Sequence, residues 1–167
     1  MSVKEQLEIS PSLDVSQLKA VYEKSHRQDG FFSELTELIS DNDLQSQATW
    51  LLKAYLEKNP LSNTTLSGKI LPLLPDLTSW EAQLNLLQCL PYLAIEDSNR
   101  KVVEIFLRKV LNSANKFVRA WAYNGFHVLA TQHPEYQAEV KQFFEMALRD
   151  EAPSVKARIR NITKKGF

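Results

Sequence analysis

A chain of 167 residues, 44% of them hydrophobic and only four of them glycine, is long enough to bury one core and too poor in Gly to be a linker or low-complexity segment. Its single cysteine, Cys89, excludes an intrachain disulfide, and no apolar run approaches the roughly 18 residues of a membrane span. The net charge is zero but divided: residues 1–99 hold 7 Lys/Arg against 14 Asp/Glu, a net −7, and residues 100–167 hold 13 against 6, a net +7.

The N-terminal stretch MSVKEQLEIS has no apolar signal-peptide core, so a cytoplasmic location is expected. Ser2 and Glu5 can form a capping box over a short helix from about residue 3, and Asp14 with Gln17 a second one, opening a helix to about Ser25. Leucine and alanine at helical spacing then predict helices near 30–40, 44–58, 64–74, 80–94, 100–112, 116–132, 135–149 and 154–164. Breaks are expected at Asn59-Pro60, Asp97-Ser98-Asn99 and His133-Pro134, and kinks at Pro72, Pro75 and Pro91. Cys89 lies in the run Leu86-Leu87-Gln88-Cys89-Leu90 and reads as a small buried hydrophobe.

The pattern repeats. Asp43, Ser79 and Asn115, each able to cap a helix, are spaced 36 and 36; so are Leu35, Leu71 and Leu107, and so are Leu38, Leu74 and Val110. Two helices of about 12 to 16 residues plus two turns use up such a period. One helix pair cannot bury both its apolar faces, whereas stacked pairs can.

The segment Asn115-Lys116-Phe117-Val118-Arg119-Ala120-Trp121-Ala122 resembles the core of a HEAT repeat, with its turn residue, Val-Arg pair and following Ala. Asp150, Pro153, Val155, Lys156 and Ala157 echo it; aligning Val118 with Val155 pairs Arg119 with Lys156, Ala120 with Ala157 and Asn124 with Asn161. Earlier units match in phase but carry Gln47 and Gln83 at the Arg position. The resemblance spans about residues 30–167. It implies an all-α fold, a right-handed α-α superhelix (HEAT-like solenoid) of about four helix pairs plus an N-terminal helix. The chain then forms one domain over 1–167, with an arm at 1–14 and repeats near 30–63, 64–99, 100–136 and 137–167. It also resembles short bacterial HEAT-like proteins, some of which carry an adenylosuccinate lyase label. The lyase signature, a Ser-rich stretch leading into Met-Pro-x-Lys-x-Asn, is absent, and the chain is far shorter than those enzymes, so that activity is rejected.

Catalytic chemistry is not indicated. His26, His127 and His133 form no HExxH motif, there is no Cys/His zinc set, no Gly-rich phosphate loop and no Gly-x-Ser-x-Gly elbow. Asp41 and Asp43 read as turn and cap residues. No enzyme activity, cofactor or metal is therefore expected.

Binding residues are a better match to the pattern. Lys116, Arg119, Tyr123 and His127, spaced 3, 4 and 4, make a polar stripe opposite Val118, Ala122, Gly125 and Leu129. Lys156, Arg160 and Lys164 form the stripe of the next unit, and Arg158 lies near the end of the stack. Arg119, Tyr123, His127, Lys156, Arg158, Arg160 and Lys164 are thus the candidate partner-binding residues. Each has a structural alternative. The HEAT resemblance lets Arg119 bond a neighbouring turn, at Asp150 or near Asn115. The C-terminal cations can complement a helix dipole, and Asn124 and Asn161 can satisfy buried backbone groups.

A non-catalytic protein-interaction scaffold, binding through the concave and C-terminal basic surface, fits these features best. A nucleic-acid-binding helical-repeat module is the first alternative, opposed by the acidic N-terminal half and the narrow basic footprint. A head-to-tail homo-oligomer, acidic end to basic end, is the second. No membrane partner is expected.

Overall fold

The computed structural model describes residues 1–9, 12, 14–60 and 64–166, and every regular element among them is helical. In chain order these are α1 (Val3–Glu8), α2 (Val15–Ser25), α3 (Phe31–Ile39), α4 (Gln45–Lys58), α5 (Thr64–Ile70), α6 (Trp80–Cys89), α7 (Asp97–Val110), α8 (Lys116–Gln132), α9 (Gln137–Asp150) and α10 (Pro153–Thr163). Three 3-10 segments extend or precede them: Leu71–Asp76 after α5, Leu90–Tyr92 after α6 and Pro134–Tyr136 before α9. The prolines account for these segments. Pro72, Pro75, Pro91 and Pro134 each remove a backbone donor from an α-helical ladder, and the chain tightens or restarts there.

Both capping boxes form, at Ser2 with Glu5 and at Asp14 with Gln17. Ser79 accepts from the Ala82 N–H, and Asn115 Oδ1 accepts from the Phe117 and Val118 N–H groups. Asp43 does not cap. The chain makes one more turn, Asp41 Oδ1 takes the Asp43 N–H, and α4 begins after Leu44 with no side-chain cap. The break expected at Asp97-Ser98-Asn99 is also displaced, because these residues form the first turn of α7. An acid there suits the positive end of the helix dipole. Asn115→Ala should cost about 1 kcal/mol, since two N-terminal donors of α8 lose their acceptor; urea denaturation reads this directly.

Helices pack in two rows. In one, α2 lies against α4, α4 against α6, α6 against α8 and α8 against α10. In the other, α1 lies against α3, α3 against the Leu71–Asp76 segment, and that segment against α7. Pairs α3–α4 and α7–α8 join the rows, and α9 packs on α8 and α10. Leu35, Leu71 and Leu107 are each 0% exposed, so residues 36 apart occupy equivalent core positions. Leu38, Leu74 and Val110 are buried likewise. Val118, Ala122, Gly125 and Leu129 of α8 face the core as the stripe pattern requires. At Gly125 the backbone approach is close: a Cβ there would sit 2.5 Å from Leu107 Cδ2 and 3.2 Å from Leu90 Cδ1. Cys89 is fully buried, and burial pushes its thiol far above the ordinary range, which leaves it an inert core side chain.

Polar side chains tie one unit to the next. Gln45 donates to the Ile39 and Asp76 carbonyls and accepts from the Thr78 N–H. Gln132 donates to the Leu93 carbonyl and accepts from the Ile95 N–H. The Ser67 hydroxyl accepts from the Ala94 N–H, and His133 Nε2 lies 2.7 Å from the Ile95 carbonyl. These bonds fix the extended segment between the 3-10 turn Leu90–Tyr92 and α7.

Candidate functional site

The row of α4, α6, α8 and α10 has a repeating contact position. Asn85, Trp121 and Arg158 are spaced 36 and 37 along the chain and so share one face of successive helices. Asn85 Nδ2 on α6 donates back to Thr49 Oγ1 on α4 at 3.1 Å. Arg158 on α10 places its guanidinium 4.2 Å from the ring centre of Trp121 on α8. Asn85 and Arg158 each reach to the preceding helix of the row. The last step differs because a cation on an indole replaces an amide on a hydroxyl.

A groove of about 300 Å³ opens at that last step, between α8, α10 and the 3-10 turn Leu90–Tyr92. Trp121 and Tyr92 supply aromatic surface, Asn124 and Asn161 supply amides, and Arg158 and Lys165 supply charge. His127 lines the same groove, with Nε2 3.1 Å from the Gly166 carbonyl. No carboxylate is among the described residues that line it. A guanidinium stacked on an indole is held flat and keeps its edge N–H groups for an outside acceptor. The chemistry is that of a carboxylate or phosphate receptor with an apolar floor.

The residues singled out from the sequence divide between this groove and other places. His127 and Arg158 line it. Arg119 does not: its Nε donates to Glu151 Oε2 at 2.8 Å, and Nη1 to the Ser113 and Ala114 carbonyls. The hydrogen bond to Glu151 raises the guanidinium's already high pKa. Arg119 therefore joins the turn before α8 to the turn before α10, much as the structural alternative holds, with Glu151 as the acid. Tyr123, expected on an exposed stripe, is half-buried edge-on to Phe144 at 6.2 Å, and burial raises its phenol pKa. Lys156 is half-buried, while Arg160 and Lys164 are exposed on α10 and just beyond it, outside the groove. Asn124 and Asn161, read as buried backbone partners, instead line the groove, and Asn161 is exposed.

Trp121, Lys165 and the two asparagines were absent from the sequence-derived set. The 36- and 37-residue spacing linking Asn85, Trp121 and Arg158 was the signal that could have found the first of them. Among the described residues, no group of three His, Cys, Asp or Glu side chains is placed to hold a metal ion. No described helix is long and apolar enough to cross a membrane.

No known family model matches this chain, and no curated protein or solved structure is significantly similar to it.

Proposed function

We propose that this chain is a non-catalytic protein-interaction module, a HEAT-like right-handed superhelix, that holds an acidic segment of a protein partner in the groove between α8 and α10. The groove carries the reading: Arg158, Lys165 and two asparagine amides converge on an aromatic floor with no carboxylate among the described lining residues. The continuous row of α4, α6, α8 and α10 supports the superhelical part, since the second helices of HEAT pairs form such a row. The basic groove alone would also suit nucleic acid. The same row, however, carries Asp43 and Glu81 at its other end, where a polyanion would be repelled. Head-to-tail assembly has less support. At the α1–α2 end two of the described acids are already paired within the chain, Glu8 with Lys4 and Glu23 of α2 with Lys58 of α4.

The test is capture of partner from native lysate, with and without nuclease, by wild type and by an Arg158→Glu/Lys165→Glu variant of verified helicity. Protein capture should survive nuclease and fall about tenfold or more in the variant. Capture of nuclease-sensitive material alone would transfer the groove to nucleic acid. Unchanged capture by the variant would remove the groove from function.

A further inference from the structure

A second groove lies on the same row, toward its N-terminal end. It runs between α4 and α6 and has a volume of about 490 Å³. Leu18, Trp50 and Leu84 give it apolar walls, and Trp80, 46% exposed, stands at its edge. Asp43 and Glu81, both exposed, also line it, and no Lys or Arg does so among the described residues. Neither carboxylate forms an ion pair with a described cation.

Elsewhere the chain satisfies this combination internally. Lys58 Nζ sits 4.5 Å from the ring centre of Tyr22 and 2.9 Å from Glu23 Oε1, so ring, carboxylate and cation are supplied together. Arg158 over Trp121 is a second cation on a ring. The α4–α6 groove has two indoles and two carboxylates and lacks only the cation. A cationic group is attracted to an indole face, most strongly where carboxylates stand beside it and water is partly excluded.

We propose that the α4–α6 groove binds a lysine or arginine side chain of a protein segment, with Trp50 and Trp80 receiving the cation's alkyl stem and charge and Asp43 and Glu81 neutralising it. Charge complementarity selects this occupant: the walls suit an aliphatic stem, and the acids suit an ammonium or guanidinium head. This site does not depend on the reading of the α8–α10 groove. The two lie on one face, because Asn85 in the first is in phase with Trp121 and Arg158 in the second. A segment with cationic residues at one end and acidic residues at the other would satisfy both.

The chain's three tryptophans make the test direct. The probe is the capped peptide acetyl-Leu-Lys-Leu-Lys-amide, titrated into the full chain while the indole N–H resonances of Trp50, Trp80 and Trp121 are followed by NMR. The Trp50 and Trp80 resonances should move and saturate, and that of Trp121 should stay in place. Asp43→Asn/Glu81→Gln should weaken this binding about five- to tenfold. Trp80→Ala, an exposed position that leaves the core intact, should weaken it while Trp50 remains the reporter. An Asp29→Asn/Glu37→Gln variant, with the same change in charge outside the groove, should bind as wild type does.

Equal loss in that control would reduce the effect to general attraction by the acidic half and overturn the proposal. So would resonances of Trp50 and Trp80 that do not respond, or that respond equally to acetyl-Leu-Gln-Leu-Gln-amide. In the second case the groove is an apolar site. The companion peptide acetyl-Leu-Glu-Leu-Glu-amide should move Trp121 instead. Its failure would count against the α8–α10 reading alone.

Discussion

Gln45→Met should lower the unfolding free energy by about 3 kcal/mol and the midpoint temperature by about 6–12 °C. Methionine keeps nearly the same volume and apolar reach, so packing is largely preserved. What it removes is one amide that serves three backbone groups at 2.8–2.9 Å and a fourth, the Ser79 N–H, at 3.4 Å. Gln45 is fully buried. Its Nε2 donates to the Ile39 and Asp76 carbonyls at 2.9 Å each, and its Oε1 accepts from the Thr78 N–H at 2.8 Å. Each of those groups is left without that partner, at about 1–3 kcal/mol per buried group, and partial rehydration holds the sum near the figure given. Gln45→Glu should be no milder, because it sets a carboxylate against two carbonyl oxygens in place of the donor. Urea denaturation of both variants measures the loss. A cost below 1 kcal/mol would mean that the carbonyl ends of α3 and of the Leu71–Asp76 segment find other donors.

That clamp also explains which parts of the fold were legible in the sequence. Features set by neighbouring residues could be read: the boxes at Ser2 and Asp14, the caps at Ser79 and Asn115, and the leucines at 35, 71 and 107. Features set by distant partners could not. Asp-Ser-Asn at 97–99 reads locally as a turn. Yet α7 starts at Asp97, because the preceding segment is held extended by Gln132, His133 and Ser67, 27 to 39 residues away from the groups they bond. Asp43 looks like Ser79 by spacing, but the turn closed by Asp41 takes up the chain before α4 can begin.

The division of charge follows the same logic. The basic excess of residues 100–167 is not spread evenly over the surface. Arg100 pairs with Glu135, Arg108 with Glu104 and Glu139, and Arg119 with Glu151, so the acids of this half are largely engaged within it. Of the remaining cations, Lys156, Arg158, Arg160, Lys164 and Lys165 lie on α10 and just after it, where Arg158 and Lys165 line the groove. From the sequence Arg119 and Arg158 look equivalent. A carboxylate 32 residues from Arg119 makes one a brace, whereas the other lies over an indole in the wall of the groove.

Glu104→Gln should destabilise the chain by about 2 kcal/mol at neutral pH, and that difference should disappear in acid. Glu104 is the buried centre of a network. Its side chain is 10% exposed, yet it takes hydrogen bonds from Lys101, Arg108 and the Tyr136 hydroxyl, the last at 2.8 Å. Burial opposes the carboxylate's charge, and the bonds from Tyr136, Lys101 and Arg108 outweigh it, so its pKa lies below the ordinary value. Arg108 also bonds Glu139 and lies 6.0 Å from the Phe126 ring and 5.8 Å from the Phe143 ring, so the network joins α7 to α9 beside the core. Removing a buried carboxylate from paired cations can cost about 3–5 kcal/mol. Lys101 and Arg108 remain 75% and 41% exposed and can recover hydration, which sets the lower figure.

The sign follows from the depressed pKa. Its contribution is fully present above the unfolded value of about 4.3 and is lost as pH falls through the lower folded value. The stabilities of wild type and Glu104→Gln, followed by urea denaturation from pH 7 downward, should therefore begin to converge as pH falls below the unfolded value of about 4.3 and meet below the lower folded value. Parallel curves would show that the charge on Glu104 contributes nothing. The neutral-pH cost would then come from the altered fit of the amide between α7 and α9, and Arg108 with Glu139 would remain as the polar link between them.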